Sequence, residues 1–121
     1  MKDFERLQGR TKRFALRIIA LYRALPRSEE ARILGKQLLR SGTSIGANYR
    51  AACRARSRAE FVAKLGVVLE EADESAFWLD LMQEAQVFQP EKPQDIIQEA
   101  QELVSIFVAS VRTAKGFTSS I

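Results

Sequence analysis

The sequence contains no histidine, one cysteine, three prolines and six glycines among its 121 residues. Without histidine the chain lacks the commonest general base at neutral pH. The absence also excludes Ser-His and Cys-His nucleophile pairs and metal sites built on imidazole. The single Cys53 cannot form an intrachain disulfide, so nothing indicates an oxidising compartment. These absences argue against the common hydrolases and metalloenzymes.

Long apolar runs are also missing. No uninterrupted apolar stretch approaches the roughly 18 residues that a membrane span needs, and the N-terminal segment from Met1 to Arg13 is charged. We therefore expect a cytoplasmic protein with no membrane partner. The few prolines and glycines fall mostly between stretches of periodic apolar residues, which is typical of long helices and argues against β architectures.

Apolar residues at alternating spacings of three and four predict four helices, over residues of about 4–25, 28–55, 58–88 and 94–115. Ser28, followed by two glutamates, is a good N-cap for the second helix. The run from Ser57 to Glu60 forms a capping box at the start of the third helix. Pro26 ends the first helix and Gly116 is a C-terminal cap for the fourth.

The short connections permit only neighbouring helices to fold back on each other, so residues 1–121 should form one all-α domain. The predicted architecture is an antiparallel up-and-down four-helix bundle. Its middle helices, at about 28 and 31 residues, would be roughly 42 to 46 Å long. A chain of this size cannot cover such lengths on all sides, so we expect an oligomer.

A second line of residues, which we call the glycine line, runs beside the apolar stripe of the second helix. It comprises Gly35, Leu39, Gly42, Gly46 and Tyr49, again at four-three spacing. Each glycine inside a helix costs about 1 kcal/mol relative to alanine, so three on one line indicate a face where another backbone comes close. We predict that this line packs between subunits. The alternative is a kink or break in the helix around residues 41–43.

The same region carries a distinctive motif, QLLRSGTSIGANYR at residues 37–50. With residues 57–69, Glu71-Ala72, Trp78-Leu79 and Thr113 to Lys115, it resembles the four-helix-bundle family encoded by intervening sequences in bacterial 23S ribosomal RNA genes. The resemblance covers roughly residues 10–116. It implies a cytosolic bacterial bundle that assembles as a ring-shaped homopentamer, with a nucleic-acid role and no established enzymatic activity. The related accessory proteins of diversity-generating retroelements share this architecture and imply a role with nucleic acid and a reverse transcriptase.

Some positions depart from the family pattern. An acidic residue commonly follows Asn-Tyr-Arg, where this chain has Ala51, and a basic residue often precedes Glu71, where it has Glu70. If relatives pair these positions between subunits, this protein must balance its charges differently. Four residues match the pattern, and the resemblance implies a packing role for them: Ser44, Asn48, Tyr49 and Trp78.

The net charge of +4 hides a division along the chain. Residues 1–64 hold 16 Lys and Arg against 5 Asp and Glu, a balance of +11, whereas residues 65–121 hold 3 against 10, a balance of −7. Such asymmetry indicates a polyanionic partner for the basic half or association of one half with the other. The arginines that lie along the first two helices and the following turn are the predicted nucleic-acid-binding residues: Arg6, Arg10, Arg13, Arg17, Arg40, Arg50, Arg54, Arg56 and Arg58.

Two other interpretations of these arginines stay open. They could form a solvated face, or they could meet the acids of the third and fourth helices within or between protomers. We predict a non-enzymatic, ring-forming bundle whose basic surface binds the backbone of RNA or DNA without sequence preference. The alternative is a protein-only assembly scaffold, whose arginines form intersubunit salt bridges or dock a partner protein.

An enzyme would have to rely on the carboxylates between Glu70 and Glu74. A di-metal bundle site needs inward-facing glutamates on several helices together with Glu-x-x-His motifs, and the chain has no histidine. Gly42 and Gly46 lack the Gly-Lys-Ser/Thr element of a phosphate-binding loop. We therefore predict no catalytic residue, no metal site and no cofactor.

Overall fold

Four α-helices and their connections make up the structure, a computed structural model that describes residues 2–88 and 93–116. Helix α1 spans Lys2–Arg23, α2 spans Glu29–Cys53, α3 spans Arg58–Glu84 and α4 spans Gln94–Ala114. No strand occurs among these described residues. The all-α class and the four predicted helices are confirmed.

The predicted start signals act as N-caps. The Ser28 hydroxyl accepts a hydrogen bond from the Ala31 amide at 3.1 Å, and the Ser57 hydroxyl accepts one from the Glu60 amide at 3.0 Å. The Glu60 carboxylate in turn accepts from the Arg56 amide at 3.0 Å. These bonds satisfy amides that a helix start would otherwise leave without partners.

Helix α3 ends at Glu84, four residues before the predicted end at 88. Gln86 has a φ of 60°, and the Val87 amide donates to the Met82 carbonyl oxygen at 2.9 Å. Val87 is buried. This combination of a left-handed residue, a closing hydrogen bond and an apolar contact ends the helix. Gly116, with a φ of 66°, takes the corresponding position after α4, as predicted.

Helix α2 packs on both α1 and α3, and α3 packs on α4, whereas the contact between α1 and α4 is the smallest of the four. Along the α1–α2 contact, Gly35 lies against Leu25, whereas Gly46, further along α2, lies against the earlier residue Thr11. Helix α2 is continuous through residues 41–43, so the alternative of a break there is wrong.

The predicted apolar stripes meet in a common core. The Ser41 and Ser75 hydroxyls lie 2.9 Å apart within it and link α2 to α3 by a buried hydrogen bond. Phe4, at the start of α1, lies at the margin of this core and is 38% exposed. The largest fully buried side chains are Tyr49, Phe14, Phe107, Ile18, Leu38, Ile45, Leu65, Leu79, Met82, Leu103 and Val68.

The glycine line of α2 faces α1 of the same chain. A Cβ atom added at Gly42 would lie 2.9 Å from Cγ1 of Ile18, and one added at Gly46 would lie 3.3 Å from Oγ1 of Thr11. The space beside these glycines is therefore already filled within the protomer. Tyr49 is buried in the core, and Leu39 packs against its edge.

This observation corrects the prediction of a contact between subunits for Gly35, Gly42, Gly46 and Tyr49, whereas for half-buried Leu39 the contact stays a prediction. The glycines do allow a close approach of two helices, as their pattern indicates. The partner helix is α1 of the same protomer rather than a helix of another copy.

Within residues 2–88 and 93–116, no helix combines the length and the apolar character that crossing a membrane requires. The same residues contain no group of three or more Cys, Asp or Glu side chains placed to hold a metal ion.

Candidate nucleic-acid interface

Three predicted arginines lie in or directly beside the short connection between α2 and α3. Arg54 follows the last residue of α2, Arg56 lies in the connection, and Arg58 opens α3. Nη2 of Arg58 donates a hydrogen bond to the Ala114 carbonyl oxygen at 2.8 Å. The C-terminus of α4 therefore lies beside the start of α3.

The start of α1 lies at the same end of the molecule. The ring centroid of Phe4 is 6.4 Å from that of Tyr49 near the end of α2, and 6.1 Å from that of Phe61 near the start of α3. One end of the helix assembly thus combines the N-termini of α1 and α3 with the C-termini of α2 and α4.

These positions gather cations from all four helices. We call this set the basic end, and the acids that share it are Asp3, Glu5 and Glu60. Cations beside the C-termini of α2 and α4 are also favoured by the helix dipoles, which gives some of them a structural role in addition. The basic end comprises Arg6, Arg50, Arg54, Arg56, Arg58, Arg112 and Lys115, all of them exposed.

Sequence reasoning missed two members of this set, Arg112 and Lys115. They lie in the acidic half of the chain, 54 or more positions beyond Arg58, so their charge does not stand out along the sequence. The signal that could have found them is the predicted topology, because antiparallel helices bring the C-terminus of α4 beside that of α2.

The remaining predicted arginines lie elsewhere. Arg13 and Arg17 are exposed along α1 beyond the basic end. Arg40 is exposed near the middle of α2, and its Nη1 lies 3.9 Å from Oε1 of Glu74 on α3. The structure therefore divides the nine arginines between the basic end, the α1 surface and the side of α2.

Arg10 is held by α4. Its Nε donates to Oε2 of Glu99 at 2.7 Å, and its Nη2 donates to Oε1 of Glu99 at 2.9 Å and to Oε1 of Glu102 at 2.7 Å. These hydrogen bonds raise the pKa of Arg10. Because two carboxylates already occupy the guanidinium, Arg10 is withdrawn from the predicted nucleic-acid surface.

The family model of the 23S rRNA-intervening sequence proteins matches residues 6–109 of the chain. The chain belongs to this family. A crystal structure of a protein of unknown function from the S23 ribosomal protein family of Bacteroides thetaiotaomicron is similar, with a TM-score of 0.83 and 36% sequence identity. The similarity covers 93% of this chain and 99% of that one. No curated protein matches the chain significantly.

In this 23S rRNA-intervening sequence protein, the motif residues Tyr49, Ser44 and Asn48 bond or pack internally. Tyr49 is 2% exposed, and its ring centroid is 5.4 Å from that of Phe107. Burial raises the pKa of the Tyr49 hydroxyl. Ser44 donates to the Arg40 carbonyl oxygen at 2.7 Å, and Asn48 donates to the Ser44 carbonyl oxygen at 2.9 Å. None of these three side chains points to a ligand.

The Arg10 contact of this family member predicts a measurable loss of stability. Replacing Arg10 by methionine keeps the length of the side chain but leaves Glu99 and Glu102 without their cation. We expect a loss of about 1 kcal/mol at pH 7, because the group is partly solvated. The measurement is urea denaturation followed by circular dichroism, at one fixed protein concentration.

The loss should depend on pH. Hydrogen bonds from Gln98 and then Arg10 hold the pKa of Glu102 below its ordinary value of 4.5. A depressed native pKa gives stability that is complete above pH 4.5 and is lost as the pH falls through the native pKa. The difference between wild type and Arg10→Met should therefore shrink below pH 4.5. Arg27→Met, at an exposed position in the α1–α2 connection with no described ion pair, is the control; an equal loss there would contradict a specific role for Arg10.

Proposed function

We propose that this protein is a non-enzymatic, antiparallel up-and-down bundle that assembles into a cytoplasmic ring and binds the backbone of nucleic acid through its basic end. The observation that carries the proposal is the gathering of exposed cations from four helices at one end. Arg50, Arg54 and Arg56 form no ion pair with another residue of the described ranges. Their guanidinium groups are therefore free to bind phosphate oxygens in pairs of hydrogen bonds.

Recognition of bases has little support. Single-stranded nucleic acid is usually held by aromatic side chains on which bases stack. Tyr49 is buried, Tyr22 is half-buried against Gly35, and the Phe61 ring is occupied by Phe4. We infer that the contacts are made with phosphates, which position a protein without reading sequence.

The antiparallel arrangement is supported by the opposed order of contacts along α1 and α2, and by the proximity of Arg58 to Ala114. Assembly is supported by the length of the middle helices. Helices of 25 and 27 residues are about 38 and 40 Å long, and six large apolar side chains of the described residues are exposed. A ring would also place several basic ends on one particle, which raises the effective concentration at a second contact.

The salt dependence of binding tests the proposal. Fluorescence anisotropy with a labelled duplex of 20 to 30 base pairs, roughly two to three helical turns, should show affinity that falls steeply with salt. If one protomer neutralises three or four phosphates, log affinity should fall against log salt with a slope of roughly −3, steeper when several protomers engage. Duplexes of unrelated sequence should bind alike. A flat salt dependence, or no binding at low salt, would overturn the proposal.

A protein-only scaffold is the second candidate, and the Arg10 contact favours it. That arginine shows that the basic and acidic halves of the chain pair with each other in at least one place. Purified protein that carries no nucleic acid and retains one specific polypeptide would support this candidate. Absorbance at 260 nm that nuclease or high salt removes would support the nucleic-acid function instead.

A further inference from the structure

A partly apolar surface lies along the outer side of α2 and α3. Four of the six exposed large apolar side chains of the described residues belong to it. Phe77 is 56% exposed and Ile33 54% exposed, which leaves much of each side chain in water. We call this surface the α2–α3 face, and its residues are Ile33, Arg40, Val67, Glu70, Glu71, Glu74, Phe77, Trp78 and Leu81.

The α2–α3 face also contains buried polar atoms that make no hydrogen bond. Oε1 of Glu71, Oε1 of Glu74 and Nε1 of Trp78 are buried, and none has a hydrogen-bond partner among the described residues. Burial raises the pKa of the Glu71 carboxyl. Buried polar groups in proteins are normally hydrogen-bonded, so these three atoms are exceptions among the described side chains.

The charge of the face indicates which partner fits. Three glutamates lie on it, and Arg40, the cation beside them, stays 3.9 Å from the nearest of them. An identical face could not cover it, because the glutamates of two such faces would repel each other. The partner must therefore present cations around an apolar centre.

Helix α1 of the same protein has such a surface. Leu16 is 56% exposed, and Arg13 and Arg17 lie within one turn of it on the exposed side of the helix. Neither arginine forms an ion pair with another described residue. This surface is apolar at its centre and basic at its edge, which is the complement of the α2–α3 face.

We propose that α1 of one copy docks through Leu16, Arg13 and Arg17 on the α2–α3 face of the next copy. The inference deepens the proposed assembly and rests on it. Such a contact joins two different surfaces of the same chain, so successive copies form a closed ring where the rotation closes. It assigns Arg13 and Arg17 to the contact between copies and leaves the basic end for nucleic acid.

Two single substitutions at exposed positions test the contact. Leu16→Asp places a carboxylate at the centre of the α1 surface, and Phe77→Asp places one on the α2–α3 face. Neither residue is in the core. By light scattering we expect wild type to give several times 13.7 kDa and each variant alone to give 13.7 kDa. A mixture of the two variants should give about twice that mass, because one intact surface remains on each partner and they can form one contact only.

Gln101→Asp on α4 is the matched control, since it adds the same charge at an exposed position outside both surfaces. It should assemble as wild type does, and circular dichroism should show unchanged helix content in all three variants. Normal assembly of both test variants would overturn this contact while leaving the proposed ring intact. Loss of assembly in Phe77→Asp alone would overturn the α1 docking, and a monomeric wild type would overturn the proposed assembly itself.

Discussion

Replacing Gly42 by leucine is expected to destabilise the protomer by about 3 kcal/mol and to lower its melting temperature by roughly 12 °C. Gly42 is buried, and even a methyl group there would lie 2.9 Å from Cγ1 and 3.1 Å from Cγ2 of Ile18. Ile18 is itself fully buried, so it has little room to move. The added side chain must push α1 away from α2. Thermal unfolding followed by circular dichroism, at one fixed protein concentration, measures the loss.

Alanine variants at two glycines separate this contact from helix propensity. Gly42→Ala should also destabilise, because its methyl group meets Ile18. Gly66 lies inside α3 with no atom within 4 Å of the added Cβ position. Gly66→Ala should therefore stabilise the protein by about 1 kcal/mol, the usual gain in a helix interior. Equal effects of the two alanines would show that Ile18 does not limit the size of residue 42.

The glycine line shows what helical periodicity can and cannot predict. Spacings of three and four correctly place Gly35, Gly42 and Gly46 on one face, and the cost of glycine in a helix correctly indicates a close neighbour. Periodicity does not say which helix that neighbour is. Because α1 and the residues that directly follow it extend from Thr11 to Leu25 beside this face, they take the place predicted for another subunit.

Helix ends were predicted where a side chain or a glycine marks them. Ser28 and Ser57 cap their helices because a hydroxyl beside the first turn accepts an amide hydrogen. The end of α3 has no such mark, since Gln86 adopts a positive φ that glycine usually takes. Burial of Val87 accompanies this conformation, and burial of that kind depends on the rest of the fold.

The candidate site required both the sequence and the topology. Arg54, Arg56 and Arg58 lie close together along the chain, so the local sequence alone indicates a cluster of cations. Arg10 is equally evident in the sequence as a candidate. Its guanidinium nevertheless donates hydrogen bonds to Glu99 and Glu102, which are 89 and 92 positions away along the chain. A pairing of that range depends on how α1 and α4 meet. The sequence therefore predicts the number of cations better than it predicts which of them are free.

Reversing the charge of Arg54 and Arg56 together is expected to lower affinity for duplex by about 100-fold at low salt. Each arginine is exposed, and a charged hydrogen bond to phosphate contributes enough that its loss costs about tenfold. We choose this pair rather than Arg58 because the Arg58 guanidinium also bonds the Ala114 carbonyl oxygen. Anisotropy titrations of Arg54→Glu with Arg56→Glu should show the same loss on every sequence. The slope of log affinity against log salt should become shallower by about 1.8 units.

The control is the double variant Arg27→Glu with Arg32→Glu, which changes the net charge equally at the other end of the molecule. If long-range attraction by the net charge dominated binding, both double variants would weaken it alike. If phosphates contact the basic end, the control should lose at most a few-fold, because exposed charges further away than about 10 Å are screened at 0.1 M salt. Unchanged affinity in Arg54→Glu with Arg56→Glu, with assembly intact, would remove the basic end from the site. It would then favour the scaffold, whose arginines bind protein carboxylates as Arg10 does.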